Sequence, residues 1–357
     1  MKERRIFSYF KPYQWEESSE AIAKKYGLEA HSIIRFDTNT SPFTPKKWLE
    51  ELSSLIKDIK VNHYPDTTYI SLKRALAEYN ECEVEEIVVT NGADEALDII
   101  AKSYIDCEDS VVISSPTYGM FRIVVELLGG RIIEVNRLED FEDDFDSLLE
   151  KEAKLFFLCS PNNPTGNSCR YEGVLKLLEK GKRIVIDEAY YEFSLKSFKE
   201  LIKDYENLII VRTLSKAFAL AGARVGYILA NKKIVEHLNK VRPPNSLSVI
   251  SLALAEIALK NADTMRESVK EIIEEREICY SELKNIKNIE PYKSEANFIL
   301  FKILNGKAKY IHEKLMERGL VLRNFEHNNL LSNFLRFTVN LRENNKKFLN
   351  TLRYLIL

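Results

Sequence analysis

The sequence predicts an α/β protein: a large unit on a mostly parallel central sheet flanked by helices, followed by a smaller α+β unit. Three observations carry this. Between residues 86 and 230, short apolar runs bounded by Gly, Pro, Asn or Asp alternate with stretches of helical period, the pattern of strand-helix-strand units. The polar segments richest in chemistry fall just after those runs, at the carboxyl ends where open α/β sheets bind ligands. Beyond Pro291 the alternation changes to strand, helix, strand, strand, helix.

In order, residues 1–45 read as a polar arm carrying Tyr9, Tyr13 and Trp15 and ending in Asn39-Thr40-Ser41-Pro42-Phe43-Thr44-Pro45, a turn-rich stretch. Aromatic side chains on such an arm imply docking onto a body, its own or a partner's. A helix is expected over 46–60, then the turn His63-Tyr64-Pro65-Asp66, then a helix over 71–79 with Leu72, Ala75, Leu76 and Tyr79 on one face. The strand 86–90 breaks at Asn91-Gly92-Ala93-Asp94 before a helix over 95–103. A strand that ends in glycine and turns into a helix presents free N–H groups to an anion, although Asp94 as a plain helix cap fits the same residues. Further strands are expected at 110–114, 131–135, 154–159, 183–186, 207–212 and 225–230, with helices from 116–120 onward and over 172–180. Helices are expected over most of 232–286. The closing unit has strands at 296–302, 321–324 and 334–340 and helices at 307–319 and 344–357. The expected domains are an arm, 1–45, joining the small domain; a large domain, 46–262; and a small domain, 263–357, entered through an amphipathic linking helix, 263–284.

Composition removes several classes of function. A net charge of -2 gives no basic field for nucleic acid. The start, Met1-Lys2-Glu3-Arg4-Arg5, is too charged for a signal peptide, and the apolar run 246–259 is short and holds Glu256, so a cytoplasmic protein is expected. Five scattered cysteines and five histidines show no metal spacing, so no metal is expected. No Gly-x-Gly-x-x-Gly follows the first strand, against a dehydrogenase.

The chemistry centres on Lys216, in Thr213-Leu214-Ser215-Lys216-Ala217-Phe218, with Arg224 eight residues on. An ammonium among apolar neighbours and a second cation loses charge stabilisation, so its pKa falls and a nucleophilic amine results. Thr213, Ser215 and Arg224 suit a phosphate, and an aldehyde cofactor with a phosphate is pyridoxal phosphate. Asp187, closing an apolar strand, would pair with the cofactor's pyridine nitrogen. Tyr190 and Asn163 would hold its phenolic oxygen, Tyr118 would stack on the ring, and Gly92, Ala93 and Asp94 would join the phosphate site.

Ser160-Pro161-Asn162-Asn163-Pro164-Thr165-Gly166, Asp187-Glu188-Ala189-Tyr190 and the 213–224 segment, in that order, resemble the class I/II aminotransferases among the fold-type I pyridoxal-phosphate enzymes. Pro12-Tyr13-Gln14, Tyr64-Pro65-Asp66, Asn91-Gly92-Ala93-Asp94-Glu95, Pro116-Thr117-Tyr118-Gly119-Met120 and Leu335-Arg336-Phe337 narrow the resemblance to the histidinol-phosphate aminotransferases. The resemblance implies that Lys216 carries the cofactor and that Tyr64 reaches the phosphate of the neighbouring subunit in a homodimer with shared sites. It also implies that Tyr13, Asn39, Arg323 and Arg336 bind substrate, with L-histidinol phosphate as donor and 2-oxoglutarate as acceptor. Threonine-phosphate decarboxylase and a broad or aromatic amino acid aminotransferase are the neighbouring readings. Asn39-Thr40-Ser41-Pro42 replaces the usual Asn-Glu-Asn-Pro, and Asn340 stands in place of a glycine; both flank the substrate side.

Overall fold

A computed structural model describes residues 3–8, 10–13 and 15–356; Tyr9 and Gln14 lie outside them. The α-helices are α1 (Ser19–Tyr26), α2 (Lys46–Leu55), α3 (Ile70–Asn80), α4 (Gly92–Tyr104), α5 (Met120–Leu127), α6 (Phe145–Leu149), α7 (Tyr171–Glu179), α8 (Tyr191–Ser194), α9 (Lys232–Val241), α10 (Val249–Lys260), α11 (Ala262–Lys284), α12 (Ala308–Met316) and α13 (Arg342–Ile356). The strands are β1 (Ile34–Phe36), β2 (Ile87–Thr90), β3 (Ser110–Ser115), β4 (Arg131–Asn136), β5 (Leu155–Cys159), β6 (Ile184–Asp187), β7 (Leu208–Thr213), β8 (Gly226–Ala230), β9 (Ile289–Pro291), β10 (Phe298–Ile303), β11 (Leu320–Asn324) and β12 (Phe334–Thr338).

Seven strands form the larger sheet in the order β2-β8-β7-β6-β5-β3-β4. Strands β3 to β7 pair in parallel, while β8 runs antiparallel to both β7 and β2. Strands β2, β5, β6, β7 and β8 are buried along their whole length, as sheets covered by helices on both faces must be. Alternate residues divide between two apolar layers: Val89, Phe156, Ile186 and Ile210 face one, Val88, Phe157, Val185 and Ile209 the other.

The first layer continues into a second, five-stranded sheet of order β1-β11-β12-β10-β9, where Phe36, Phe298, Phe301 and Phe337 lie in the same core. Here β1 pairs in parallel with β11, so the arm supplies an edge strand.

Local signals explain most boundaries. Ser18 caps α1 by accepting from the Ala21 N–H at 3.1 Å, and Gly27 ends it in the left-handed region at φ 67. Ser248 caps α10 through the Ser251 N–H. The reading of 1–45 as a polar arm named no element there and so missed α1 and β1, and the linear pattern also missed α6 and β9. Strands of three residues such as β1 and β9 have no stability of their own and exist through pairing. The helix expected over 46–60 stops at Leu55. The expected strand 225–230 is present from Gly226 but is the antiparallel member, which its own residues do not encode.

One close approach fixes the floor of the future site. A Cβ on Gly226 would lie 2.4 Å from the Gly92 carbonyl carbon, so β8 presses backbone to backbone against the first turn of α4. Gly226→Ala should therefore lower unfolding stability by ~1–3 kcal/mol through forced backbone shifts. Gly222→Ala, where nothing lies within 4 Å, is the control. Urea unfolding of both variants checks this, and equal midpoints would show that the contact relaxes freely.

Candidate active site

A cavity of about 500 Å³ lies over the carboxyl ends of β5, β6 and β7. Strand register sets Cys159 beside Asp187 and Asp187 beside Val211, and the first two line its base. Its walls come from the arm, the loop after β1, the entry to α4, the loop after β5, and strands β11 and β12. Of the residues singled out from sequence, Tyr13, Asn39, Ala93, Asp94, Tyr118, Asn163, Asp187, Tyr190, Thr213, Ser215, Lys216, Arg224, Arg323 and Arg336 all line it. Gly92 sits beneath, where its Cβ would meet Arg224 Nη2 at 2.6 Å. Tyr64 is not brought to this cavity; it is 84% exposed in the loop between α2 and α3.

Lys216 follows β7 by three residues. Its Nζ donates to the Thr38 carbonyl at 3.2 Å and stands 5.7 Å from the centre of the Tyr190 ring. Burial is the main cause that pulls the amine down to about 8, with the Arg336 guanidinium adding to it and Arg224 contributing less. The sequence pointed to Arg224 as the second cation; the fold brings Arg336 into that role from β12. Asp187 ends β6 nearly inaccessible, and the Ala189 N–H donates to its Oδ1 at 2.9 Å. With no cation bonded to it, burial pushes this carboxyl up to about 7, despite the backbone donor and Lys216.

At one end of the cavity lies the turn into α4, beside Thr213, Ser215 and Arg224. The Thr213 hydroxyl donates within 2.9 Å of Ser215 Oγ, and the Ser215 N–H donates back to Thr213 Oγ1 at 3.1 Å. Arg224 donates to Asp94 Oδ2 at 3.0 Å, and Tyr118 OH to Asp94 Oδ1 at 2.9 Å. The Asp94 carboxylate thus faces Arg224 itself, and what this turn has for an anion is its backbone N–H groups and the α4 dipole. Tyr118 keeps its ring against the wall, edge-on to Phe121 at 6.0 Å.

The other end holds two arginines. Arg336 is buried; Nη2 donates to the Asp37 carbonyl at 2.5 Å, Nη1 donates to Asn163 Oδ1, and Nε is buried with no partner. Burial lowers this guanidinium to about 10. Arg323, more exposed, bonds Glu16 Oε1 at 2.6 Å. Asn39, at φ 52, donates from Nδ2 to Tyr190 OH at 2.9 Å.

Sequence reasoning missed Glu16, Asp37 and Thr38, because the latter two act through main-chain oxygens and Glu16 is one of many charged residues on the arm. Behind the cavity, Arg212 donates to Glu188 Oε2 at 2.7 Å and to Asn80 Oδ1 at 2.7 Å, with its guanidinium 3.7 Å from the Tyr191 ring centre. Glu188 belongs to the 187–190 motif and Arg212 directly precedes the 213–218 segment, yet both lie outside the cavity lining and, with Asn80, hold β6 and β7 to α3. Among the described residues no group of three or more His, Cys, Asp or Glu side chains is placed to hold a metal ion, and no helix is long and apolar enough to cross a membrane.

Comparison with known proteins agrees with this geometry. Residues 31–352 match the family described as aminotransferase class I and II. The histidinol-phosphate aminotransferase of Caldanaerobacter subterraneus subsp. tengcongensis is 39% identical over 328 residues, 90% of this chain and 93% of that protein. That of Methanocaldococcus jannaschii is 34% identical over 366 residues, 99% of this chain and 98% of that protein. The crystal structure of histidinol-phosphate aminotransferase from Sinorhizobium meliloti in complex with pyridoxal-5'-phosphate superposes with a TM-score of 0.89 at 26% identity, covering 99% of this chain and 96% of that one. With sequence, fold and the arrangement around Lys216 all leading to the same place, the chain belongs to the class I and II aminotransferases.

Proposed function

We propose that this chain is a pyridoxal-phosphate-dependent transaminase that moves the amino group of L-histidinol phosphate to 2-oxoglutarate, giving L-glutamate. The observation that carries the reading is Arg336. A buried guanidinium bonded only to neutral oxygens, with one N–H unpartnered, calls for an anion, and it shares its cavity with an amine whose charge is already weakened. Relatives at 34–39% identity over nearly the whole chain carry the histidinol-phosphate name, which supports the donor.

The residues fit the cofactor. Asp187 is a buried carboxylate with a backbone donor and no cation, the partner a protonated ring nitrogen requires. Asn163 keeps its Nδ2 donors and Tyr190 its hydroxyl proton for a phenolic oxygen, since their bonds to Arg336 and Asn39 use Oδ1 and the tyrosine oxygen as acceptors. Thr213, Ser215, Arg224 and the Gly92–Ala93–Asp94 turn would hold the phosphate, and Tyr118 would bound the ring. When bound, pyridoxal phosphate supplies an electron sink for the pair left at the substrate carbon after proton removal. Lys216 would carry the aldehyde and, once released, serve as the base that moves a proton from the substrate Cα; an amine near 8 is poised for both. Arg336 would bind the phosphate of the donor or a carboxylate of the acceptor, with Tyr13, Asn39 and Arg323 completing the pocket.

Three organisational proposals accompany this. The chain divides into the arm 1–45, a large domain 46–262 and a small domain 263–357, supported by the two sheets. It works in the cytoplasm. It is a homodimer with shared sites: Leu55, Ile56, Val61, Tyr64 and Ile70 are exposed within one stretch of the sequence, and Tyr64 lies outside the cavity of its own chain, as a residue that serves a partner's site would.

Purified holoenzyme mixed with L-histidinol phosphate and 2-oxoglutarate should form glutamate with ping-pong kinetics, and Lys216→Ala should lose roughly 10³-fold or more of the rate. Carbon dioxide released from threonine phosphate, without glutamate, would replace this reading by the decarboxylase. A second outcome concerns Asp187 in cofactor-free protein. Its carboxyl is raised from 3.8 to about 7, so between those values the folded state holds a proton that the unfolded chain has released. Stability contributed at this site is therefore lost as pH rises through that window. Asp187→Asn should flatten that slope, be more stable than wild type at pH 8 by ~1–3 kcal/mol and match it near pH 4, while retaining cofactor poorly. Urea unfolding at both pH values reads this, and a difference independent of pH would remove the assignment of a strained carboxylate.

A further inference from the structure

The arm places a carboxylate against one of the two substrate-side arginines and not the other. Glu16 Oε1 accepts from Arg323 Nη1 at 2.6 Å and from Tyr13 OH at 3.1 Å. Arg336 has no carboxylate among its hydrogen bonds. The two arginines also differ in depth. Arg336 is buried next to Asn163 and close enough to weigh on Lys216, whereas the Arg323 and Glu16 side chains are 22% and 28% exposed at the outer part of the cavity.

The role of this contact rests on the donor and acceptor of the proposed function. Both carry an anion near the reacting carbon, a phosphate in one and a carboxylate in the other, and Arg336 can take either. Their far ends differ in kind. An imidazole offers an N–H and wants an acceptor; the second carboxylate of glutamate wants a free guanidinium. A fixed group suited to one end rejects the other. Glu16 and Arg323 are an acceptor and a guanidinium held together in one contact.

We infer that Glu16 selects between the two substrates by exchange. It remains on Arg323 and accepts the imidazole N–H of the phosphorylated donor, and it gives up Arg323 to the distal carboxylate of glutamate or 2-oxoglutarate. Two features permit this. A partly exposed ion pair is weak enough to be broken at each turnover. Glu16 and Arg323 also border a second cavity of about 530 Å³, whose walls carry Lys25 and Lys309 together with Glu17, Glu313, Glu317 and Glu326, and which gives the displaced Glu16 side chain room to move.

The test is Glu16→Gln in the holoenzyme, with glutarate as an unreactive dicarboxylate, butyrate as its single-carboxylate control, and histidinol phosphate as the imidazole probe. Removing the competing charge should tighten glutarate about 5- to 10-fold by calorimetry and leave butyrate unchanged, as one charge-assisted contact is worth roughly that factor. The dissociation constant for histidinol phosphate in single-turnover absorbance traces should rise about as much, with the limiting rate retained. Glutarate affinity that stays level or falls, or glutarate and butyrate changing alike, would reduce Glu16 to an anchor for the arm and overturn the inference. Should wild-type enzyme fail to convert histidinol phosphate, the donor assignment falls separately, and the glutarate comparison still decides whether Glu16 competes for Arg323.

Discussion

A guanidinium buried between two sheets is the constraint around which this molecule is arranged. Arg336 sits on β12 of the five-stranded sheet, yet its donors go to Asn163 beyond β5 of the seven-stranded sheet and to the main chain at Asp37 beyond β1. Burying that charge beside apolar neighbours alone would cost several kcal/mol, so polar groups from both sheets must converge on it. The seam between the sheets is therefore polar where the rest of the core is apolar, and the cavity lies in that seam.

The same logic accounts for the tension around Lys216 and Asp187. Asp187 ends β6 and Lys216 lies three residues beyond β7, two strands buried along their whole length, and each sits at a protonation balance it would not choose in water. A marginal loop would relax such groups toward solvent. Strands β5 to β7, paired along their lengths and packed on both faces, do not allow it. The Arg212, Glu188 and Asn80 network adds to this rigidity from behind by tying two adjacent strand ends to α3. Stability supplied by the scaffold is thus used to keep an amine and a carboxyl in states suited to a ligand.

Charge is apportioned unevenly over the cavity. Arg224 and Arg323 each face a carboxylate of the chain itself, Asp94 and Glu16, both partly exposed. Arg336 and Asp187 are the deep groups without an opposite charge bonded to them. Exposed pairs can be opened at small cost, whereas Arg336 and Asp187 stay buried without a charged partner.

Several features were legible from the residues alone, for a physical reason. Strand-helix alternation shows in the sequence because a strand covered on both faces must be apolar throughout, and the loop residues that end it, such as Gly92 and Asn163, are needed where the chain turns. Asp187 stood out as a charge closing an apolar strand and Lys216 as an amine among apolar neighbours, whereas Arg336 was singled out through the resemblance to the aminotransferases. Sequence could not place β1 or β9, whose three residues are strands only through their partners, nor the reversed direction of β8, which nothing in its own apolar run records. It also could not assign Arg336, over Arg224, as the main cation lowering Lys216, or join Glu16 to Arg323 across 307 positions. Local pattern determined which segments were strands and which side chains carried chemistry; only the closed fold decided which charges became neighbours, because Coulombic and hydrogen-bond partners depend on distance in space and not along the chain.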